Sequence, residues 1–344
     1  MADCIKINSM TRRESNLFAK PSPQEVLASR TDAVVADEED RNRDAKRPNS
    51  VFVELEPASR HPNRSPGQSP EMTEVLTLLL ASSECSLRCT MCDLWRNTLD
   101  EPTPAGALPE QIRFGLQHWR EQTGRESGGT IKLYNSGNFF DPRTTPSADD
   151  DEILKLCEPF DRVVVENHPL IGTRRLFEFG KRLRGKLEIA VGLECIAPRM
   201  LDRLNKRLRP GQFFQFAQSL KEASIDLRVF LIHGLPWLAT QESDAWTILS
   251  ARFAAAAGAR HISLLPCRTG NGFMDRLANE GVFHPPSRKQ MRAVMDALEN
   301  DSRFDHGPVL TLDTWGLEPE VPELTELAAD AQPCDSQSDS PNHV

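Results

Sequence analysis

The chain has 344 residues, of which 39% are hydrophobic and 26% charged, with a formal net charge of −9. These proportions belong to a folded globular protein and exclude wholesale disorder, while the acidic balance argues against a generic nucleic-acid coat. Apolar runs such as Leu78-Leu79-Leu80-Ala81 fall far short of the ~18 residues of a membrane span, and Met1 to Met10 hold no apolar signal core, so a cytoplasmic protein with no membrane partner is expected.

Residues 1 to 45 lack an apolar period and carry the acidic run Asp37-Glu38-Glu39-Asp40 followed by Arg41, Arg43, Lys46 and Arg47, which reads as a disordered tail. Alternation over Val51–Leu55 predicts a short strand, and a loop rich in Pro, Ser and Gly follows from Pro57 to Pro70. Apolar runs then predict strands at Val75–Ala81, Thr130–Asn135, Arg162–Glu166, Leu187–Leu193, Asp226–Ile232 and His261–Leu265. Their composition is that of parallel strands buried on both faces. Amphipathic stretches between them predict helices over Pro109–Glu121, Asp150–Cys157, Thr173–Arg184, Gln212–Ala223, Glu242–Ala257 and Ser287–Asn300, with Pro109 at a first helical position and Gly258 as a stop. Six βα units in series imply an α/β fold with a parallel sheet, whose chemistry belongs at the C-terminal ends of the strands. The domain spans residues 46–316, and the remainder, 317–344, reads as an acidic tail: from Glu318 onward it has seven acidic residues and no Lys or Arg.

Of eight cysteines, Cys85, Cys89 and Cys92 stand together as Cys-x3-Cys-x2-Cys on the loop after the first strand of the repeat. Three thiolates there can each bind one iron of a cubane cluster, leaving a fourth iron open to a small bidentate ligand. The competing reading is a structural zinc site, which would want a fourth ligand; no second Cys or Cys–His pair is present.

The string Ser83-Glu84-Cys85-Ser86-Leu87-Arg88-Cys89-Thr90-Met91-Cys92 resembles the cluster loop of radical S-adenosylmethionine (SAM) enzymes. The resemblance implies a partial TIM barrel, (βα)6, a [4Fe–4S] cluster on Cys85, Cys89 and Cys92, and SAM on the open iron. Met91 stands where the family often has an aromatic residue, and sulfur–aromatic contact with adenine is its implied role. Asn135-Ser136-Gly137-Asn138-Phe139-Phe140-Asp141-Pro142 is similar to a segment of radical SAM proteins that act with archaeosine synthase on transfer RNA, and of their bacterial relatives. The core also resembles the elongator and methylthiotransferase types, without the extra three-cysteine or acetyltransferase domains.

By the same resemblance, Ser136, Gly137 and Asn138 receive the SAM amino group, and Glu194 its ribose. The Gly234 turn, in His233-Gly234-Leu235-Pro236, packs near adenine. Glu166 is a second candidate ligand, at the end of its strand. His168, His233, Arg268, Cys195 and Cys267 are weaker candidates, for which structural roles are the ordinary alternative. An electron donor such as flavodoxin or ferredoxin is implied as a partner. Residues 172–210 carry eleven Lys or Arg against four Asp or Glu, a local +7; if Arg174, Arg175, Lys181, Arg182, Arg184, Arg203, Lys206, Arg207 and Arg209 share one rim, tRNA is a candidate partner. The sequence leaves a modified RNA base or a small metabolite as substrate, and a non-catalytic iron–sulfur or zinc protein, acting as an RNA adaptor or redox sensor, as the competing class.

Overall fold

All six expected parallel strands form, joined by one more at each edge of the sheet. The computed structural model describes residues 20–32, 44–58 and 71–317. Its strands are β1 (Ser50–Pro57), β2 (Met72–Leu79), β3 (Thr130–Tyr134), β4 (Arg162–Glu166), β5 (Lys186–Glu194), β6 (Asp226–His233), β7 (His261–Pro266) and β8 (Val309–Leu312), in that spatial order. β1 runs antiparallel to β2, and every later neighbour is parallel. The helices are α1 (Pro23–Ala28), α2 (Ala107–Thr123), α3 (Asp150–Cys157), α4 (Thr173–Arg182), α5 (Pro198–Arg203), α6 (Pro210–Glu222), α7 (Thr240–Ala256), α8 (Phe273–Asn279) and α9 (Arg288–Glu299). The result is a partial barrel, open between β1 and β8.

The strands are not apolar on both faces. Alternate residues, among them Ile131, Leu133, Val163, Val165, Ile189, Val191, Val229, Leu231, Ile262 and Leu264, join the core beneath the helices. The intervening residues face the lumen and are largely polar: Thr77, Lys132, Tyr134, Glu166, Glu188, Arg228 and His261. Strand composition is dominated by the helix-facing half, which is why the sequence reads as uniformly buried.

At the N-terminal ends of the strands, charge closes the lumen. Glu188 of β5 is fully buried and accepts from Arg228 of β6 (2.9 Å), Arg162 of β4 (3.0 Å) and Arg260 before β7 (2.7 Å). Arg228 reaches on to Glu56 of β1 at 3.1 Å, and Lys132 of β3 joins the same carboxylate. Arg260 also donates to the Ala58 carbonyl at 3.0 Å. The antiparallel strand is thereby tied by ion pairs across the lumen to strands it does not hydrogen-bond.

Several boundaries differ from expectation. α2 begins at Ala107, so Pro109 is its third residue, still within the first turn, where an N–H has no intrahelical partner. Gly258, with φ +96°, follows α7 as expected of a helix stop. β8, α5 and α8 were not foreseen, being only 4, 6 and 7 residues long. Within the stretch expected to be a tail, residues 20–32 carry α1, capped reciprocally by Ser22 and Glu25. Val26 is buried against Cys195, Met200, Phe273 and their neighbours. The tail expectations for 1–19, 33–43 and 318–344, and most of the loop after β1, lie outside the described residues.

Candidate functional site

β2 leaves the sheet under the control of one buried side chain. Gln111 of α2 accepts from the Ala81 N–H and donates to the Ala81 carbonyl, both at 2.8 Å, replacing the lost strand partner. Ser83 N–H then donates to Thr103 Oγ1 at 2.9 Å, and the chain turns into the cysteine loop. That loop has little secondary structure, so its carbonyls need other donors. Asn205, after β5, donates to the carbonyls of Leu87 and Arg88, each at 3.1 Å. Asn271, after β7, donates to those of Thr90 (2.8 Å) and Cys92 (3.4 Å). Both asparagines are buried, and neither was singled out in the sequence. From outside, Arg30 after α1 pairs with Glu84 at 2.5 Å and lies 4.5 Å over the Trp95 ring.

The three thiols sit close enough to feel one another's charge. Burial pushes Cys89 up to about 12; Lys206 opposes this and Cys85 adds to it. Burial also raises Cys92 and Cys85, while the Leu87 N–H, Lys206 and the Asn138 side chain favour the Cys85 thiolate. Cys89 is buried and Cys85 and Cys92 are half-buried, so their surroundings favour the protonated thiols in the absence of a cation, and thiolate ligation of a metal would reverse that preference. Among the described residues, no three His, Cys, Asp or Glu side chains converge as the ligands of a single metal ion.

The ends of β3, β4 and β5 meet this loop. Ser136 has φ +54°, and a Cβ on Gly137 would lie 3.2 Å from Thr144 Cγ2 and 3.8 Å from Cys85 Cβ, so the turn backbone runs against the first cysteine. Asn138 is buried and donates to Cys85 Sγ at 3.1 Å. Glu166 ends β4, and burial lifts its carboxyl to about 7; Lys206 works against the shift and Glu194 with it. Glu194 ends β5 at a register shift, with φ +61°, and pairs with Lys206 Nζ at 2.6 Å. Gly192 makes room for this pair: a Cβ there would stand 2.3 Å from Glu194 Oε1 and 2.7 Å from Lys206 Nζ.

Lys206 thus lies inward against Glu194 and not on an exposed basic rim. Burial is the largest influence and works against its charge, but Glu194 together with Cys89 and Cys85 outweighs it and raises the Lys206 pKa. Other members of that expected rim are also engaged: Arg175 with Asp150 (2.5 Å), Arg174 with Glu178 (2.9 Å), Arg182 with Asp151, and Arg203 over Trp237. A 12-residue step from Glu194 to Lys206 carries no periodic signal, so the pairing was not legible before folding.

The remaining candidates divide. Met91 is half-buried against the apolar cluster of Cys195, Leu235 and Phe273. The Gly234 N–H is taken by Ser243 Oγ at 2.9 Å, and its α-carbon faces Pro286, so that donor is not free for a ligand. His168 bridges backbone: its Nε2 lies 3.1 Å from the Lys206 carbonyl and its Nδ1 accepts from Leu170 N–H. Burial, then Lys206, lowers it to about 4, which leaves a neutral brace. His233 is buried against Thr247 at 3.0 Å. Arg268 covers Trp315 and faces Asp93 at 3.6 Å, and Cys195 and Cys267 are buried.

No family model matches the chain. The uncharacterized protein MJ0550 of Methanocaldococcus jannaschii is 23% identical over 252 residues, which cover 70% of this chain and 68% of that one. Similar solved structures include Elp3 of Methanocaldococcus infernus, with TM-score 0.44, 15% identity and 62% of this chain covered. Another is coproporphyrinogen III oxidase (HemN) of Escherichia coli, described as a radical SAM enzyme, with TM-score 0.37, 16% identity and 57% covered. A third is TsrM of Kitasatospora setae, a radical SAM methyltransferase with cobalamin and a [4Fe–4S] cluster bound, with TM-score 0.34, 12% identity and 50% covered. The chain spans about half or less of these structures, matching 53%, 45% and 34% of their lengths. No helix among the described residues is long and apolar enough to cross a membrane.

Proposed function

We propose that this protein is a radical SAM enzyme in which Cys85, Cys89 and Cys92 hold a [4Fe–4S] cluster. The observation that carries the reading is the position of the cysteine loop. It lies at the C-terminal strand ends of a partial barrel, beside the half-buried Lys206 ammonium paired to the Glu194 carboxylate. Held by Cys85, Cys89 and Cys92, such a cluster would supply the one-electron reduction that cleaves SAM and starts hydrogen abstraction from a substrate.

The chain's own residues bind and orient. Lys206 is the cation available to a ligand carboxylate beside the cysteines, and Glu194, released from it, accepts from ribose hydroxyls. Ser136 and Gly137 offer turn backbone to an amino group. Glu166, near neutrality, presents a carboxyl that donates or accepts in the lumen below. Tyr134 and Phe230, 6.1 Å apart edge to face, line the lumen beneath and help keep water from the reacting carbon.

The donor of electrons is a flavodoxin or ferredoxin in this reading, and the protein works in the cytoplasm. An RNA base is the first substrate class to assay, on the strength of the resemblance and of Lys181, Arg184, Arg207 and Arg209, which remain exposed. The test is 5′-deoxyadenosine formation by anaerobically reconstituted protein given SAM and a strong reductant, with Cys89→Ala as control. Product from the wild type and none from the variant supports the reading. A full cluster load with neither product nor any SAM-induced change in the cluster's electron paramagnetic resonance spectrum overturns it in favour of a structural or redox-sensing cluster.

A further inference from the structure

The Asn138 side chain has only one amide orientation consistent with its surroundings. Its Oδ1 lies 2.7 Å from the backbone nitrogen of His168, a group that can only donate. The oxygen must therefore face His168, which leaves the NH2 group facing Cys85 Sγ at 3.1 Å. The residue is 3% exposed, and its own carbonyl is taken by the Thr144 hydroxyl. Rotation away from the sulfur would break a buried bond on each side.

Cys85 is consequently held as an acceptor. It also lies 3.5 Å from the Leu87 N–H; Cys92 has a backbone donor in Leu94, and Cys89 Sγ points the opposite way, toward the Asn205 carbonyl at 3.9 Å. The three cysteines are not equivalent: one sulfur receives a fixed side-chain donor. A hydrogen bond to a cluster sulfur withdraws electron density and favours the more negative, reduced state.

We infer that Asn138 is a positioning residue that donates to the Cys85 sulfur and holds the cluster's reduction potential above the value the cysteine loop alone would give. This rests on the reading of Cys85 as a cluster ligand. The same amide ties Cys85 to His168, whose ring meets the Lys206 carbonyl, and Lys206 in turn meets Glu194. The first cysteine and the ion pair are thus joined by one chain of hydrogen bonds across the ends of β3, β4 and β5.

Potentiometric titration of reconstituted wild type, Asn138→Leu and Asn138→Asp, followed by electron paramagnetic resonance, tests this. Asn138→Leu removes the donor without adding charge. Asn138→Asp keeps the acceptor for His168 N–H and turns an oxygen on the sulfur. At equal iron and sulfide content, the midpoint is expected to move negative in Asn138→Leu and further in Asn138→Asp. An unmoved midpoint in Asn138→Leu with an intact cluster overturns the inference. A wild type that takes up no cluster would overturn the cofactor reading, and with it this one. The hydrogen bond is judged separately in metal-free protein, where Asn138 side-chain protons should exchange slowly with solvent by NMR; fast exchange would overturn the donor assignment by itself.

Discussion

The two ends of the lumen are built on opposite electrostatic terms. At the floor, burial would raise Glu188, but Arg228, Arg260 and Arg162 outweigh it and hold the carboxyl at about 2; Glu56 is held at about 2 in the same way by Arg228 and Lys132. At the mouth, burial wins at the acids: Glu166 rises to about 7 and the cysteines rise above their ordinary value, Lys206 beside Glu194 being the exception. The backbone shows the same contrast. Arg88, Ser136, Glu194, Asn205, Arg207 and Trp237 all have positive φ near the mouth, whereas Ser224 is the non-glycine example on the floor side among the described residues. Strain and uncompensated burial concentrate where a ligand would relieve them, and charge is fully matched where the barrel must only hold together.

The sharpest way to break the comparison is at the floor. Glu188→Ala leaves three guanidinium groups without their shared carboxylate and should cost about 3–5 kcal/mol in chemical denaturation. A loss under about 1 kcal/mol would mean that the floor is solvated and the contrast false. At the mouth the expected effect is on ligand, not on fold. Lys206→Met should weaken SAM binding to the reconstituted protein by roughly 30-fold, the equivalent of about 2 kcal/mol for one charge-assisted hydrogen bond. Unchanged SAM affinity by calorimetry would remove Lys206 from the site.

The smallest effect concerns pH and separates the two ends by sign. Glu166 keeps its proton in the folded state up to about 7 while the unfolded chain releases it near 4.5, so the fold binds more protons in that window. Wild type should therefore lose stability relative to Glu166→Gln as pH rises from 4.5 to 7, by on the order of 2–3 kcal/mol in metal-free protein. Glu56 and Glu188 act in reverse: their stabilisation is present above pH 4.5 and fades as pH falls toward 2. Parallel stability curves for wild type and Glu166→Gln between pH 5 and 8 would show the mouth to be as well compensated as the floor.

Much of this was legible in the sequence because it is local. The alternation of apolar runs and amphipathic stretches located six strands, with β4 and α3 matched to the residue, since short-range periodicity reports one buried face directly. The cysteine loop was legible because all three sulfurs lie within eight residues of chain. What only the tertiary structure decided is everything that depends on meeting across the barrel. Lys206 read as a surface charge until β5 and the segment after it folded it onto Glu194. Gln111, Asn205 and Asn271 carried no signal, because a buried amide is defined by the distant carbonyl it satisfies, 30 or more residues away. The strand interiors looked uniformly apolar because helix-facing residues dominate a short window; only closure of the sheet turned the intervening Lys132, Glu188 and Arg228 toward one another, where the long-range Coulomb field rather than local propensity sets their state.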